Sequence, residues 1–408
     1  MSGVTHIPNE VGLRKALGGW EVDAGTAVAP TFVLPGTYTS NDNTPHEAAP
    51  EATGYLMKRR TPKRGATAYD TSYTDNLSFE WLPRYMRLGM EAGDPAVLVG
   101  GSTGAYRRVQ SPVVDRFGHD HMSVEHFVDG LGFKDRGVTF PVWNISGDVD
   151  DTDANWKFDA SPSIRAQGEL DGSFEGVWTS ATTTTGTMAG AGWTVDEHAG
   201  KYINLGVNNT APIRQIVSNT TDTVTWGAPV EAAPATGEAF RIEGKFTSGI
   251  APVGRTLIPT HGTKLFIDPM GRTIGTTRVL KRFIRFNVSY ELVNTSKFFM
   301  DNAPGEIERL SPEEIRVTFQ VRLEFDRRDE LLQMQRLDHF RLRIEQEGPE
   351  IDSGVNNLAR IDIPEAFWSQ ATKDERGSNL TVTMAGEALL PLSGSGFDVE
   401  TINGWATT

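Results

Sequence analysis

The sequence predicts a mainly β fold with short helices, of the β-sandwich or barrel type, in two tandem copies with a small inserted β-module. Three observations lead to this prediction. Glycine is frequent, with 42 residues, and Thr, Asn and Ser are common, which favours many turns and short strands over long helices. Two segments of the last third alternate apolar and polar residues. The order of the predicted elements in the last third repeats that of the first third.

The first third is predicted to begin with an extended arm that carries short strands, followed by a strand at 66–75. From Leu77 to Met90 apolar residues recur at helical spacing, and Pro83 suits the first turn of a helix. Further strands are predicted at HMSVEHFVDG, GVTFPVWNISGDVD and NWKFDASPSIRAQGEL.

The composition changes after residue 170, where a low-complexity Thr-rich stretch is followed by short strands divided by turn residues. These strands indicate an inserted β-module. The predicted domains are 1–170 with the N-terminal arm, the module at 171–250, and 251–408 with a C-terminal arm.

The last third contains the most regular alternation. Residues 282–293 and 316–325 each place apolar residues on one face and polar or charged residues on the other. Residues 327–340 then carry a mainly apolar stripe at helical spacing, and three more strands follow. Because strand, helix and three strands succeed one another in both thirds, with negligible residue identity, we predict a tandem duplication.

The composition excludes several classes of protein. The chain has no cysteine, which excludes disulfides, thiolate zinc sites and cysteine nucleophiles. No apolar run approaches the roughly 18 residues of a membrane span, and the N-terminus lacks the apolar core of a signal peptide. We therefore expect a soluble chain that is made in the cytoplasm and has no membrane partner.

The net charge of -14 disfavours a protein that grips DNA through its phosphates. The basic segment at 57–64 is the strongest local exception. It is interpreted as a solvated loop, with a contact to an acidic neighbouring subunit as the alternative.

Two clusters resemble metal sites in part. His119, His121 and His126 lie close in sequence, but His121 and His126 differ in strand parity, so a polar strand start is the better interpretation. The aspartates of 147–153 resemble part of a calcium loop without its glycine and terminal glutamate, and a solvated acidic turn is favoured.

Enzyme motifs are missing from the sequence, since there is no phosphate loop, HExxH, GxSxG or dinucleotide fingerprint. The acidic residues that a hydrolase could use are Glu324, Asp326, Asp329 and Glu330. Arg327 and Arg328 lie among them, so surface ion pairing explains the cluster as well. We expect no enzyme and no cofactor.

The long one-sided strands are the positive evidence for a function. An antiparallel sheet with one apolar face packs that face on a core and leaves the other to water. A wide barrel has an inward face that can line an aqueous channel. One chain has too few long strands to close such a barrel, whereas several copies around an axis could close it.

Several segments together resemble the major tail tube proteins of long-tailed, siphovirus-type bacteriophages. Residues 21–36 are similar to the opening arm of that family, and SVEHFV and RGVTFPVWNISGDVD to its central strands. The segments similar to its C-terminal tube strands are VLKRFIRFNVSYELV, EEIRVTFQVRLEFD, LARIDIPEAFW and NLTVTMAGEAL. Residues 191–242 are similar to a β-module that recurs in phage virion proteins.

The resemblance implies a structural virion protein that is assembled in the host cytoplasm into rings, which stack into the hollow phage tail tube. DNA would pass through the lumen without specific binding, as the net charge also suggests. The implied partners are further copies of the chain, the tape-measure protein and the tail terminator and tip proteins. Two fused tube domains imply a homotrimeric, pseudo-hexameric ring, with a homohexamer as the alternative.

Within this interpretation two surfaces are candidates. The lumen-facing candidates are the polar residues of the two long strands: Arg285, Asn287, Ser289, Glu291, Thr318, Gln320, Arg322 and Glu324. An outward face covered by a helix or a neighbour is the alternative for them. Phe397 and Trp405, in the C-terminal tail, are the ring-stacking candidates, and deletion of 394–408 is expected to block tube growth and leave the fold intact.

A carbohydrate-binding or adhesion module is the main alternative function. It would use aromatic residues of the inserted module: Trp178, Trp193, Tyr202 and Trp226. Core packing is the favoured interpretation of these residues because they are sparse and scattered.

Overall fold

The computed structural model of the chain describes residues 16–22, 25–42, 46–51, 59–64, 69–90, 97–112, 120–128, 131–170, 172–206, 212–244, 250–297, 309–325, 328–376, 379–389 and 396–405. In these ranges the chain is mainly β with two short helices, which confirms the predicted fold class. Among the described residues no helix is both long and apolar enough to cross a membrane.

The chain folds as two halves with a module between them. The strands of the first half are β1 (Leu17–Trp20), β2 (Phe32–Val33), β3 (Thr37–Asp42), β4 (His46–Glu51), β5 (Arg59–Arg64), β6 (Tyr69–Asn76), β7 (Val97–Leu98), β8 (Tyr106–Gln110), β9 (Met122–Val128), β10 (Leu131–Asp148), β11 (Lys157–Ser163) and β12 (Ala166–Glu169). Helix α1 (Leu82–Arg87) lies between β6 and β7.

The module between the halves contains β13 (Phe174–Val177), β14 (Ser180–Ala181), β15 (Thr185–Thr187), β16 (Tyr202–Asn204), β17 (Ile213–Asn219), β18 (Thr223–Trp226) and β19 (Ala239–Ile242). The second half contains β20 (Lys264–Pro269), β21 (Arg278–Val279), β22 (Phe283–Lys297), β23 (Arg309–Glu324), β24 (Phe340–Asp352), β25 (Val355–Arg376), β26 (Asn379–Ala388) and β27 (Asp398–Asn403). Helix α2 (Asp329–Arg336) lies between β23 and β24.

The two halves share one order of antiparallel pairing. In the first half the pairings run β3–β6–β11–β10–β9–β1–β2, and β12 also pairs with β10. In the second half they run β22–β23–β26–β25–β24–β20–β21, and β27 also pairs with β25. Helices α1 and α2 directly follow the equivalent strands β6 and β23. The repeated element order of the sequence is therefore a repeated topology.

Three parts of the chain have no counterpart among the described residues of the second half. They are the β4–β5 hairpin, the β7–β8 pair and the module β13–β19. The basic segment was predicted as a solvated loop, but over Arg59–Arg64 it is strand β5, which pairs with β4 in a separate two-stranded sheet. Residues 57 and 58 lie outside the described residues.

One apolar core runs through both halves, and the module has its own. Trp143 from β10, Tyr290 from β22 and Phe397 from the segment before β27 meet in the shared core. The module core contains Trp178 and Phe240, whose rings stack with centroids 3.8 Å apart. The module is therefore packed as a separate unit within the chain.

The C-terminal tail was predicted as an arm for ring contacts, and that prediction was wrong for residues 396–403. Phe397 is completely buried in the chain's own core, and β27 pairs on one edge with β25 and on the other with β8. Deleting 394–408 would remove a strand that is paired on both edges, so we now expect this deletion to destabilise the fold. The tail joins the second half to an element of the first.

Candidate functional site

Eight strands form one continuous antiparallel sheet that extends across both halves. Their order is β3–β6–β11–β10–β22–β23–β26–β25. The two halves meet where β10 pairs with β22, over seven residue pairs from Val142↔Glu291 to Asp148↔Arg285. We call this β10–β22 pairing the internal joint.

One face of this sheet is polar from the first strand to the last. A single cross-strand row illustrates it: Thr37, Thr74, Asp159, Asn144, Ser289, Thr318, Glu387 and Phe367. Every residue of this row is exposed or half-buried, and seven of the eight are polar. We call this surface the polar face.

The opposite face is apolar and buried. The neighbouring row contains Tyr38, Tyr73, Ala160, Trp143, Tyr290 and Val317, all of them buried. Because side chains alternate with period two, the pairing register places the core residues of six successive strands together and the polar residues opposite them.

The eight lumen-facing candidates all lie on the polar face of β22 and β23. Arg285 and Gln320 are exposed, and the other six are half-buried. Asn287 pairs with Gln320, and Ser289 pairs with Thr318. The predicted alternation of both strands is thereby confirmed, while the assignment of this face to a lumen stays a prediction.

The arginines of the polar face lie beside carboxylates. Arg285 Nε lies 3.9 Å from Asp148 Oδ2 across the internal joint, and Arg322 Nη2 lies 3.2 Å from Asp374 Oδ2 on β25. Arg316 Nη2 lies 3.4 Å from Glu314 Oε1. The structure thus places aspartates of β10 and β25 beside Arg285 and Arg322.

The internal joint is packed tightly on its core side. The rings of Trp143 and Tyr290 stack with centroids 5.1 Å apart. Gly147 pairs with Phe286, and a Cβ at Gly147 would lie 2.5 Å from the Phe286 ring, so this position requires glycine for the two strands to approach. The joint is a packed interface between repeats.

Trp405, the other ring-stacking candidate, is packed against its own chain. The Arg84 guanidinium of α1 lies 4.1 Å from the centre of the Trp405 ring and 4.7 Å from that of Trp81. Burial, against the opposing effect of Tyr85 and together with the nearby charges of Arg87 and Arg108, lowers the pKa of Arg84 to about 10. Trp405 is half-buried, so part of it stays accessible.

The metal-site candidates are placed in two different ways. His126 is buried beside Asp135, with Nε2 2.9 Å from a carboxylate oxygen, and the Tyr38 hydroxyl donates to the same carboxylate at 2.6 Å. His119 lies outside the described residues. Among those that the structure describes, no three His, Asp or Glu side chains converge as metal ligands.

Two of the acidic residues considered as calcium or hydrolase candidates form ion pairs within the chain. Asp151 of the predicted acidic turn pairs with Lys157, and Glu330 of the hydrolase candidates pairs with Arg282 at 2.7 Å. Residues 326 and 327 lie outside the described residues. In the module Trp178, Trp193 and Trp226 are buried and only Tyr202 is half-buried, so the tryptophans do not form an accessible aromatic platform.

Sequence reasoning missed most of the polar face outside β22 and β23. Ser72 and Thr74 of β6, Asp159 of β11 and Asn144 of β10 extend it, and Asp374 of β25 closes it at the other side. The alternation of Thr, Ser and Asp with aromatic residues in β6 and β11 could have predicted which of their residues lie on the polar face. The β10–β22 pairing joins segments about 140 residues apart and has no local signal.

Comparison with known proteins adds no family to these observations. No protein-family model matches the chain, and no curated protein matches it either.

Proposed function

We propose that the chain is a structural subunit that assembles into a tail tube, and that its polar face lines the lumen through which DNA passes. The observation that carries the proposal is the polar face itself, which continues across eight antiparallel strands and through the internal joint. When one face of an antiparallel sheet is buried in the core, the other face can be exposed to water and is suited to line a water-filled space.

The number of strands supports an assembly of several chains. A barrel of about eight strands is filled by its own side chains, whereas roughly 16 to 18 strands already leave an aqueous channel. Three copies of this chain would supply about 24 strands to one barrel. The repeated topology makes each chain two equivalent units, so a trimer would have six similar lobes.

The chemistry of the polar face supports a conduit. Ser, Thr, Asn and Gln make up much of it, and Arg285, Arg316 and Arg322 lie beside carboxylates. The chain also carries a net charge of -14. A wall of this kind offers few unpaired cations for phosphates, so DNA would pass with little retention.

The first experiment is electron microscopy of the purified protein. The proposal predicts rings or tubes with three copies of the chain per ring and six similar lobes. Monomers that bind glycans would contradict it in favour of an adhesion module. Six copies per ring would contradict the trimer and leave a tube possible.

A second experiment tests the lumen assignment. Ser289→Lys combined with Thr318→Lys places two cations side by side on the polar face, and the assembled tubes are expected to retain DNA at low salt. Val195→Lys combined with Val217→Lys adds the same charge at two exposed positions of the module and serves as the control. Equal DNA retention by both variants would contradict a lumen-facing position.

A further inference from the structure

Two strand edges of the eight-stranded sheet lack a partner strand among the described residues. Strand β3 pairs only with β6, and Gln370–Arg376 of β25 pair only with β26. We infer that β25 of one copy pairs with β3 of the next copy, in the register of the internal joint. This inference rests on the proposed ring assembly and names the partner and the contact that would close the ring.

The internal joint supplies the template. In the first half two strands pair in succession with one edge of β10. Strand β9 pairs with its first part, up to Val138, and β22 pairs with the part from Val142 onward. In the second half β24 pairs with β25 up to Ala366, and nothing described follows it. Residues Gln370–Arg376 of β25, which pair only with β26 among the described residues, therefore correspond to the segment of β10 that pairs with β22.

The register can be transferred from one half to the other. The buried row Tyr38–Tyr73–Ala160–Trp143 of the first half corresponds to Phe286–Val321–Met384–Ala371 of the second. In the proposed contact between copies, β3 of the next copy thus corresponds to β22 of the internal joint, and Ala371 of β25 corresponds to Trp143 of β10. The internal pair Ser146↔Asn287 then becomes Asp374 of one copy opposite Thr39 of the next.

Side-chain parity agrees with this register. Asp374 lies on the polar face, where it pairs with Thr381, and Thr39 is exposed on the same face, where its hydroxyl lies 2.6 Å from that of Ser72. The transferred pairing therefore continues the polar face from copy to copy. A slip of one residue would place polar side chains against the core.

Helix α2 provides an independent observation. Its counterpart α1 has Leu82, Tyr85 and Met86 completely buried, and it is covered partly by β8 and β27, the latter from the second half. Helix α2 leaves Leu332 40% exposed and Leu337 72% exposed. Because α2 lies beside β25, the next copy's first half would cover these residues as the second half covers α1.

The test uses a pair of cysteines, because the chain has none of its own. Thr39→Cys with Asp374→Cys is expected to form disulfides between copies when assembled protein is oxidised, giving linked oligomers up to a closed ring. Directly opposite Cβ atoms in an antiparallel pair lie about 4.5–5.5 Å apart, within the reach of a disulfide after a small adjustment. Ser146→Cys with Asn287→Cys is the internal positive control.

The negative control is Thr39→Cys with Lys373→Cys, which places the second cysteine on the opposite face. Cross-linking of the Asp374 pair is expected to exceed that of this control many-fold. Rings or tubes with equal cross-linking of the two pairs would overturn the strand contact and leave the proposed tube intact. No rings or tubes from unmodified protein would overturn the proposed function itself.

Hydrogen exchange on the unmodified protein tests the same strand pairing without any variant, and so does not depend on whether a cysteine variant folds. The amides of β3 and of Gln370–Arg376 are expected to become protected on assembly. Unchanged exchange at both edges in assembled protein would overturn the strand pairing, whatever the cysteine variants do.

Discussion

The two halves of the chain have the same topology and different interiors. In the first half Tyr73, Tyr85, Phe140 and Phe158 contact one another as an aromatic cluster. In the second half the counterpart of Tyr73 is Val321, within a core row of Phe, Val, Met and Ala. The repeat is therefore specified by alternation and element order, since cores of very different residues satisfy the same pairing.

The halves also differ in what covers them. The first half receives β22, β27 and Phe397 from the second half, so its joint edge and its helix are buried. Among the described residues no third repeat lies beside the second half, so Leu332 and Leu337 of α2 are exposed and Gln370–Arg376 of β25 pair with β26 only. In the proposed ring, a second chain would take the place of the missing repeat.

The largest effect is expected from a substitution that removes packing between the two halves. Trp143→Ala should lower the free energy of unfolding of the two-half body by about 3–5 kcal/mol, because it removes a buried ring that stacks on Tyr290. The matched control is Trp178→Ala, in the module core. Hydrogen exchange read region by region should place each loss in its own core, and a loss shared equally by both would contradict two separate cores.

The second effect concerns a buried polar network in the first half. Tyr38→Phe should cost about 2–3 kcal/mol, because the buried Asp135 carboxylate loses the hydrogen bond from Tyr38 and retains the one from Gln167, with His126 Nε2 2.9 Å away. Urea unfolding measures the loss, with Tyr106→Phe at a half-buried tyrosine outside this network as the control. Equal effects of both substitutions would contradict a special role of Tyr38 in holding β3.

The third effect concerns a charged row in which Glu400 of β27 lies between Arg360 of the second half and Arg107 of β8 in the first half. Burial alone would raise the pKa of Glu400, but hydrogen bonds and charges from Arg107 and Arg360 outweigh it and hold that pKa below its ordinary value of 4.5. The stabilisation is therefore complete above about pH 4.5 and is lost as the pH falls through the folded-state pKa. Glu400→Gln should cost about 1–2 kcal/mol at pH 7 and clearly less at pH 3.

The control for this pH dependence is Glu387→Gln, at an exposed glutamate on the polar face. Urea unfolding at both pH values should show little change for it. A Glu400→Gln loss that is as large at pH 3 as at pH 7 would contradict the ionic origin of the stabilisation.

The smallest effect separates the stability of one chain from assembly. Leu337 ends α2 with a left-handed φ of 55° and is largely exposed. Leu337→Gly should stabilise the single chain by about 1 kcal/mol, because glycine adopts this conformation without the Cβ clash. The same substitution should weaken ring formation, measured by sedimentation, if a neighbouring copy covers the leucine. Stronger assembly of the variant would contradict that covering.

Local patterns predicted much of the fold. The alternation of Phe286 and Val288 with Asn287 and Ser289 placed β22 and its two faces, because period two is a property of any half-buried strand. Helix positions were predicted, but α1 and α2 are shorter than the segments 77–90 and 327–340. Apolar residues can continue the helical spacing beyond the end of a short helix, so the spacing overestimates the length of the helix.

Contacts between distant segments were not predictable in the same way. Nothing near Phe397 in the sequence indicates that it packs on Trp143 and Tyr290, so a buried core residue looked like a free tail. The partners of Arg285 and Arg322 also come from β10 and β25, whose registers depend on the whole sheet. Pairing over long sequence separations is set by tertiary packing, and a single sequence does not encode it locally.

In the proposed ring each chain supplies two equivalent units, and the polar face of each chain lines the lumen. Electron cryomicroscopy of assembled tubes at a resolution that separates strands tests it most directly. The account predicts three chains per ring, a barrel with eight strands from each chain, and Ser289 and Thr318 facing the lumen. A ring of six chains, or a lumen lined by strands outside the eight-stranded sheet, would contradict it.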